Sequence, residues 1–390
     1  MRLLIVFRKT MREITRDKWM LGLTLAFAPF FVFLYWLWFQ GGSTVYPIAV
    51  INQDQGVHLP DGSVYNAGDE VSKAIQAIIY ADGRPLLKVV AVSDRAAAET
   101  ILRDRGATAY IQLPADFSRT IQALQSGDRT VTTAVTFGGD LSNTYYMIGA
   151  NMALTTVDAF VQHATGQKPL VNYIEKPMGA SATRTEFETY VPGTLIFSVI
   201  LLIFLAAMTV AREIETGTLR RLQLTPMTSF DLLAGITAAL LLVGAVTSGL
   251  SFAVALALGF HSQGPILAAI LVSTIASLSV IGLGLVVASL TRSVSQAFVV
   301  ANFPMAMMMF FSGIIFPMPP VNLFSIAGRS ISLYDVLPPT HAVVALNKIL
   351  TLGAGLGEVA YELGALVILS AIYFAFGVWL FRRMHLRSGK

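Results

Sequence analysis

Long uncharged runs dominate this chain. Residues 20–39 and 191–210 carry no charged side chain, and none lies between Asp231 and Arg292. A helix crosses a hydrocarbon core of about 30 Å in roughly 20 residues. The run after Asp231 is therefore too long for one span, and Gly259-Phe260-His261-Ser262-Gln263-Gly264-Pro265 divides it into about 232–258 and 266–290. With 295–315 and 361–381, the pattern predicts six membrane helices. Trp19 stands at one end of the first, and Tyr35, Trp36 and Trp38 at the other, where interfacial anchors belong. That run is too long for a cleaved signal peptide and no small-x-small site follows it, so it reads as a retained anchor.

Two stretches break the apolar pattern. Residues 1–19 interleave Arg2, Arg8, Lys9, Arg12, Arg16 and Lys18 with Leu3, Leu4, Val6, Phe7, Met11 and Ile14, predicting an amphipathic helix on the bilayer surface. Residues 44–188 alternate strand-like and helix-like segments. The strands are Pro47–Ile51, Leu87–Val92, Thr108–Leu113 and Thr130–Phe137. The helices are Asp69–Tyr80, Asp94–Arg105 with Gly106 as its stop, Ala115–Ser126 and about Ser142–His163. Such alternation predicts an α/β domain. The expected fold is an α-helical polytopic membrane protein with an inserted extracytoplasmic α/β domain at 44–188. Transmembrane helices two to six occupy 190–381, a Pro-punctuated stretch lies at 312–358, and a basic tail at 382–390.

Composition supports this frame. Only 13% of the 390 residues are charged and 55% are hydrophobic, against about 25% charged in soluble domains; mean hydropathy is +0.66. Cysteine is absent, which excludes disulfides, thiolate metal sites and cysteine nucleophiles. No basic nucleic-acid face is seen. In a six-span arrangement the N-terminal helix, the 211–229 loop, Arg292 and the C-terminal tail share one side. The loop 259–265 has no Lys or Arg, and 317–358 has only Arg329 and Lys348. The cation bias places both termini in the cytoplasm.

The candidate chemistry is sparse. No ionisable residue stands in the middle of a span, which argues against a self-powered carrier. No P-loop occurs. Energy for uphill transport must then come from a partner, and the ionic segment 211–226 is the natural handle. There Glu213 and Glu215 suit a helix start, Arg220 and Arg221 its end, and Gly217 permits close approach of a neighbouring backbone. The five histidines have no metal-ligand spacing, and Asn52-Gln53-Asp54-Gln55-Gly56 reads as a turn rather than a calcium loop. On the fifth span Asn302 precedes Pro304, and either capping of a freed carbonyl or a substrate contact would suit it. Met305, Met308 and Met309 are candidates to line an apolar path. Gly282 and Gly284 predict close helix packing.

The pattern Arg212-Glu213-x-Glu215-x-Gly217-Thr218-Leu219, followed by Leu222-x-Leu224-Thr225-Pro226, resembles the permease subunits of ABC-2 type exporters. Arg16-Asp17 before an apolar run with Pro29 is similar to that family's interfacial helix and first span. Pro47–Gly56 and Leu113–Ser118 resemble segments of its outer domain, and Phe311–Pro317 with Leu337–Thr340 its re-entrant region. The resemblance implies a permease in the prokaryotic cell (inner) membrane, paired with an identical or related second permease. Cytoplasmic ABC ATPase subunits would bind ATP and Mg, so this chain would itself hold no cofactor. It implies a coupling helix that docks the ATPase through Arg212, Glu213, Glu215, Gly217, Thr218 and Leu222, with Arg16 and Asp17 in the interfacial helix. The expected function is export of an amphipathic or hydrophobic substrate. The alternatives are a stand-alone secondary carrier and a membrane-tethered receptor or assembly protein acting through its outer domain.

Overall fold

A computed structural model describes residues 2–39, 44–80, 83–141, 143–167, 184–218, 226–314, 321–326 and 329–386. Two compact units emerge, one from 1–40 with 177–390 and one from 41–176.

The first unit is helical. It begins with α1 (Arg2–Arg16) and α2 (Lys18–Phe39). Six of the helical stretches are long and apolar enough to span a membrane, at Leu21–Phe39, Glu186–Glu215, Ser229–Ala257, Ile266–Ser289, Val294–Phe311 and Ala360–His385. The second is longer than the uncharged run. A Thr185–Glu188 capping box starts it at Glu186, and it continues to Glu215 as two stacked helices, Glu186–Ile200 and Leu202–Glu215. A second capping box, Thr228 with Asp231, starts the third span ahead of its first apolar residue. The fifth stops at Phe311, short of the expected 315, where Ser312 and the left-handed Gly313 follow.

Small residues set the packing of the fourth span (Ile266–Ser289). A Cβ on Gly282 would touch the Phe374 backbone of the sixth span, and one on Gly284 would meet Ala206 Cβ of the second at 2.6 Å. The two glycines therefore admit two different neighbours. Ser279 and Ser370 share a 2.5 Å hydrogen bond in the same layer, as hydroxyls do across membrane helices.

Between the fifth and sixth spans lie a short hairpin, Asn322–Ile326 with Arg329–Ser332, and a helix, Pro338–Leu352. Pro338 and Pro339 open this helix, where a missing N–H is harmless. It runs beside the sixth span. Its entry is held by the Tyr373 hydroxyl donating to Val336 O, and its far end by Lys348 Nζ donating to Glu362 Oε1 at 2.6 Å.

The second unit is an α/β domain. Its strands are β1 (Tyr46–Asn52), the short β2 (Val57–His58) and β3 (Val64–Tyr65), β4 (Leu87–Ala91), β5 (Ala109–Leu113) and β6 (Thr136–Gly138). Its helices are α3 (Ala67–Gln76), α4 (Arg95–Arg103), α5 (Phe117–Gln125) and α6 (Thr144–Thr165). The main sheet has the order β4-β1-β5-β6, with β1 parallel to β4 and β5, and β6 antiparallel. Ile48 and Val50 face the layer of α3, α5 and α6, while Ala49 and Ile51 face α4. A strand covered on both faces reads as the continuous apolar run seen in β1. Asp54 secures the turn after β1. Its carboxylate accepts from Gly68 N at 3.1 Å, Ser118 N at 2.9 Å and the Ser118 hydroxyl. The strand expected over 130–137 shrinks to three residues, because Asp128 turns the chain back by accepting from the Thr130 amide and hydroxyl.

Candidate functional site

The ionic segment sits where α1 meets the charged end of the second span's second helix, here α7 (Leu202–Glu215). The buried stripe of α1, Val6, Thr10 and Ile14, recurs at helical spacing. It lies on the third span, here α8 (Ser229–Ala257). Gly235 makes that contact possible: a Cβ there would stand 2.6 Å from Val6 Cβ and 2.9 Å from Leu3 O.

Glu213 is the hub. It is 5% exposed, and its Oε1 accepts from Lys9 Nζ at 2.5 Å, while Lys9 also lies 3.5 Å from Glu13. Glu213 Oε2 is buried without a hydrogen-bond partner, so the pair's single charge-assisted bond carries the desolvation of the whole carboxylate. A cavity of about 20 Å3 lies beside it, lined by Thr10, Ile14, Met208, Arg212 and others. Glu215 points elsewhere. Its Oε2 accepts the Val294 N–H at 2.8 Å, at the start of the fifth span, here α9 (Val294–Phe311), where a helix dipole favours an anion. Arg2 reaches Pro226 O at 2.5 Å on the far side of the connection.

These contacts correct the expected dipole argument. Glu213 and Glu215 lie in the last turn of α7, not at a helix start. A carboxylate there opposes the dipole, and Lys9 and the Val294 amide compensate it. Gly217 has a backbone requirement of its own. It adopts φ +71°, a left-handed turn that favours glycine, and a side chain there would meet no atom within 4 Å among the described residues. Arg212 is exposed, Thr218 half-buried, and the Thr216 and Thr218 hydroxyls lie 3.0 Å apart. Leu222 and the rest of 219–225 lie outside the described residues.

Arg16 and Asp17 occupy the joint between α1 and α2, where Leu21 N donates to Asp17 O at 2.9 Å. The residue of α1 that pairs with Glu213 is Lys9, which the motif did not single out. Its signal was present: Lys9 and Glu13 flank the 6-10-14 stripe at i,i+4 spacing.

The path candidates on α9 separate. Asn302 is exposed and donates to Phe298 O at 2.8 Å. The carbonyl freed by Pro304 is that of Val300, so Asn302 does not cap it. Met308 is fully buried, while Met305 and Met309 are half-buried.

A second ionic cluster marks the opposite end of the bundle. Glu188, 7% exposed, accepts from His261 N at 3.1 Å and faces its Nδ1 at 3.2 Å. Arg184 donates to Glu188 O at 3.0 Å and to Leu350 O, and stands over the Phe260 ring. Burial holds Arg184 below the usual guanidinium value, against the pull of Glu188.

Apolar helices closed by ionic contacts at both ends, with a folded α/β insertion, define a polytopic membrane protein. The sequence profile of the ABC-2 family transporter proteins matches residues 18–379, and the chain belongs to that family. It is thus the membrane subunit of a transporter. No curated protein sequence matches it significantly.

Proposed function

We propose that the chain is the membrane-spanning permease of an ABC exporter, driven by a separate cytoplasmic ATPase that docks on the connection between α7 and α8. The observation that carries this reading is the threefold tie of that connection. The last turn of α7, which leads covalently into it, holds α1 through Glu213 and Lys9 and α9 through Glu215 and the Val294 amide. Arg212 remains exposed for a partner. A push on this segment reaches three helices at once, and a bistable bundle converts such a push into a change of population. Two such permeases pair, both termini face the cytoplasm, and the α/β domain lies outside. Charge-free spans suit an amphipathic or hydrophobic cargo, and the exposed Asn302 offers that pathway a polar contact.

The test is ATP-dependent movement of a fluorescent phospholipid in proteoliposomes holding the chain and its ATPase. Arg212→Glu should reduce both transport and permease-stimulated hydrolysis at least tenfold without loss of folded protein. Gradient-driven transport by the isolated chain, with no ATPase present, would overturn the reading in favour of a secondary carrier.

A further inference from the structure

The α/β domain contains a cavity of about 1190 Å3 that the transport reading leaves without a role. It originates in uneven cover of the sheet. α3, α5 and α6 pack on one face, but α4 alone lies on the other, over β1 and β5. The space beside α4, on the β6 side, is left open. Its floor includes Tyr110, 6% exposed. A Cβ on Gly138 would stand 2.3 Å from the Tyr110 ring, and one on Gly139 2.2 Å from the Tyr146 ring. Two adjacent glycines thus let both rings lie close against the chain.

The wall formed by α4 is cationic. Arg95, Arg103 and Arg105 line it, with Glu99 between them. Glu99 accepts from Arg95 Nε at 2.9 Å and lies 3.9 Å from Arg103. The Arg105 guanidinium has no ion pair or hydrogen bond among the described residues, and Asp140 also lines the cavity. Arg105 is also the one non-glycine residue with positive φ among the described residues, at 57°. Its N–H donates to Leu102 O and that of Gly106 to Ile101 O, closing α4 in a turn whose left-handed position normally belongs to glycine. Gly106 stands one residue later, so the expected stop and the strained position do not coincide. A long cationic side chain held in strain at the lip of a cavity points to a ligand. Tyr145, which also lines the cavity, is half-exposed in the first turn of α6, whose amino end adds positive potential.

We propose that this cavity binds a phosphate-bearing organic ligand, with Arg103 and Arg105 taking the phosphate and Tyr145 packing on the organic part. Guanidinium forks match phosphate oxygens bidentately, and a half-exposed ring offers an apolar face. The same chemistry is carried by a soluble sugar phosphate and by a phospholipid head group.

Calorimetric titration of the full-length protein in detergent tests this with inorganic phosphate, glucose 6-phosphate and short-chain phosphatidylglycerol. Saturable binding of an organic probe, tighter than that of inorganic phosphate, is the expected result. Arg105→Gly removes the charge and relieves the strained turn. It should weaken binding at least tenfold while the unfolding temperature holds or rises, an outcome that a purely structural role for Arg105 does not give. Tyr145→Ala should weaken the organic probes and leave inorganic phosphate unchanged. Preference for the sugar phosphate identifies a soluble ligand, and preference for the lipid a head group. Absence of saturable binding by all three probes overturns the proposal. So does wild-type affinity in Arg105→Gly, or equal weakening by Arg119→Ala on the distant α5.

Discussion

Glu213 shows what one buried carboxylate does in a chain whose helix middles carry none. Its pairing with Lys9 is short, and Lys9 keeps part of its surface in solvent, so screening limits its worth. Glu213→Gln should cost about 1–2 kcal/mol, the range of a charge-assisted bond that is not fully desolvated. Thermal unfolding in detergent reads that loss, and Lys9→Glu with Glu213→Lys should recover part of it. Gly235→Ala tests the apolar half of the same joint. With Val6 Cβ at 2.6 Å from the added carbon, α1 must lift, and about 1–3 kcal/mol of overpacking is expected. Faster amide exchange over 2–16 would report it. The segment was conspicuous in the sequence, since charges between two apolar runs stand out. Its geometry was not. The second span extends past Val210 into the charges, and the cation that permits this lies some two hundred residues earlier in the chain.

Helices and strands were legible to the extent that their local signals were complete. Whereas α3 runs Ala67–Gln76 behind an Asn66 cap rather than over the expected Asp69–Tyr80, the amphipathic stripe of α1, the acidic start at Asp94 and the unbroken run of β1 each carry their own instruction. β6 does not, because Asp128 competes locally with the ladder for the Thr130 amide. Two expectations belong to this scale. Gly217→Ala forces a side chain into a left-handed turn, costing about 1 kcal/mol. It should lower transport per ATP hydrolysed more than it lowers folded yield. The second concerns acid. The Ala97 N–H, with the Ser93 hydroxyl, holds the Asp94 carboxyl below its ordinary value of 3.8. A depressed folded value means that the cap's stabilisation is complete above the ordinary value and disappears as pH falls through the folded one. Amide protection over 95–103 should therefore fall below about pH 4, and Asp94→Asn, which still caps, should flatten that dependence.

Across the whole molecule, the count of spans followed from length and charge alone, because about 20 apolar residues have few other uses. The segment 312–358 was harder. Its prolines read as breaks, yet Pro338 and Pro339 begin a helix that buries Ala342, Ala345, Leu346 and Ile349 in the bundle and is tied to the sixth span at Tyr373 and Lys348. The absence of cysteine makes the proposed orientation directly measurable. In intact cells an impermeant maleimide should label Ser262→Cys, and Thr216→Cys only after permeabilisation; the reverse order would invert the topology. The bundle's directional bonds concentrate at its two rims, in the Lys9–Glu213 and Glu215–Val294 contacts at one and the Arg184–Glu188–His261 and Lys348–Glu362 contacts at the other. Between them the helices meet largely through glycines, alanines and aliphatic side chains, joined by hydroxyl contacts such as Ser279–Ser370, and resist tilting mainly by fit. In the proposed transport cycle, rim charges would set how often each conformation is visited, while the interior would set how well each one closes. Added salt should shift the balance between states far more readily than any conservative change of a mid-span aliphatic residue.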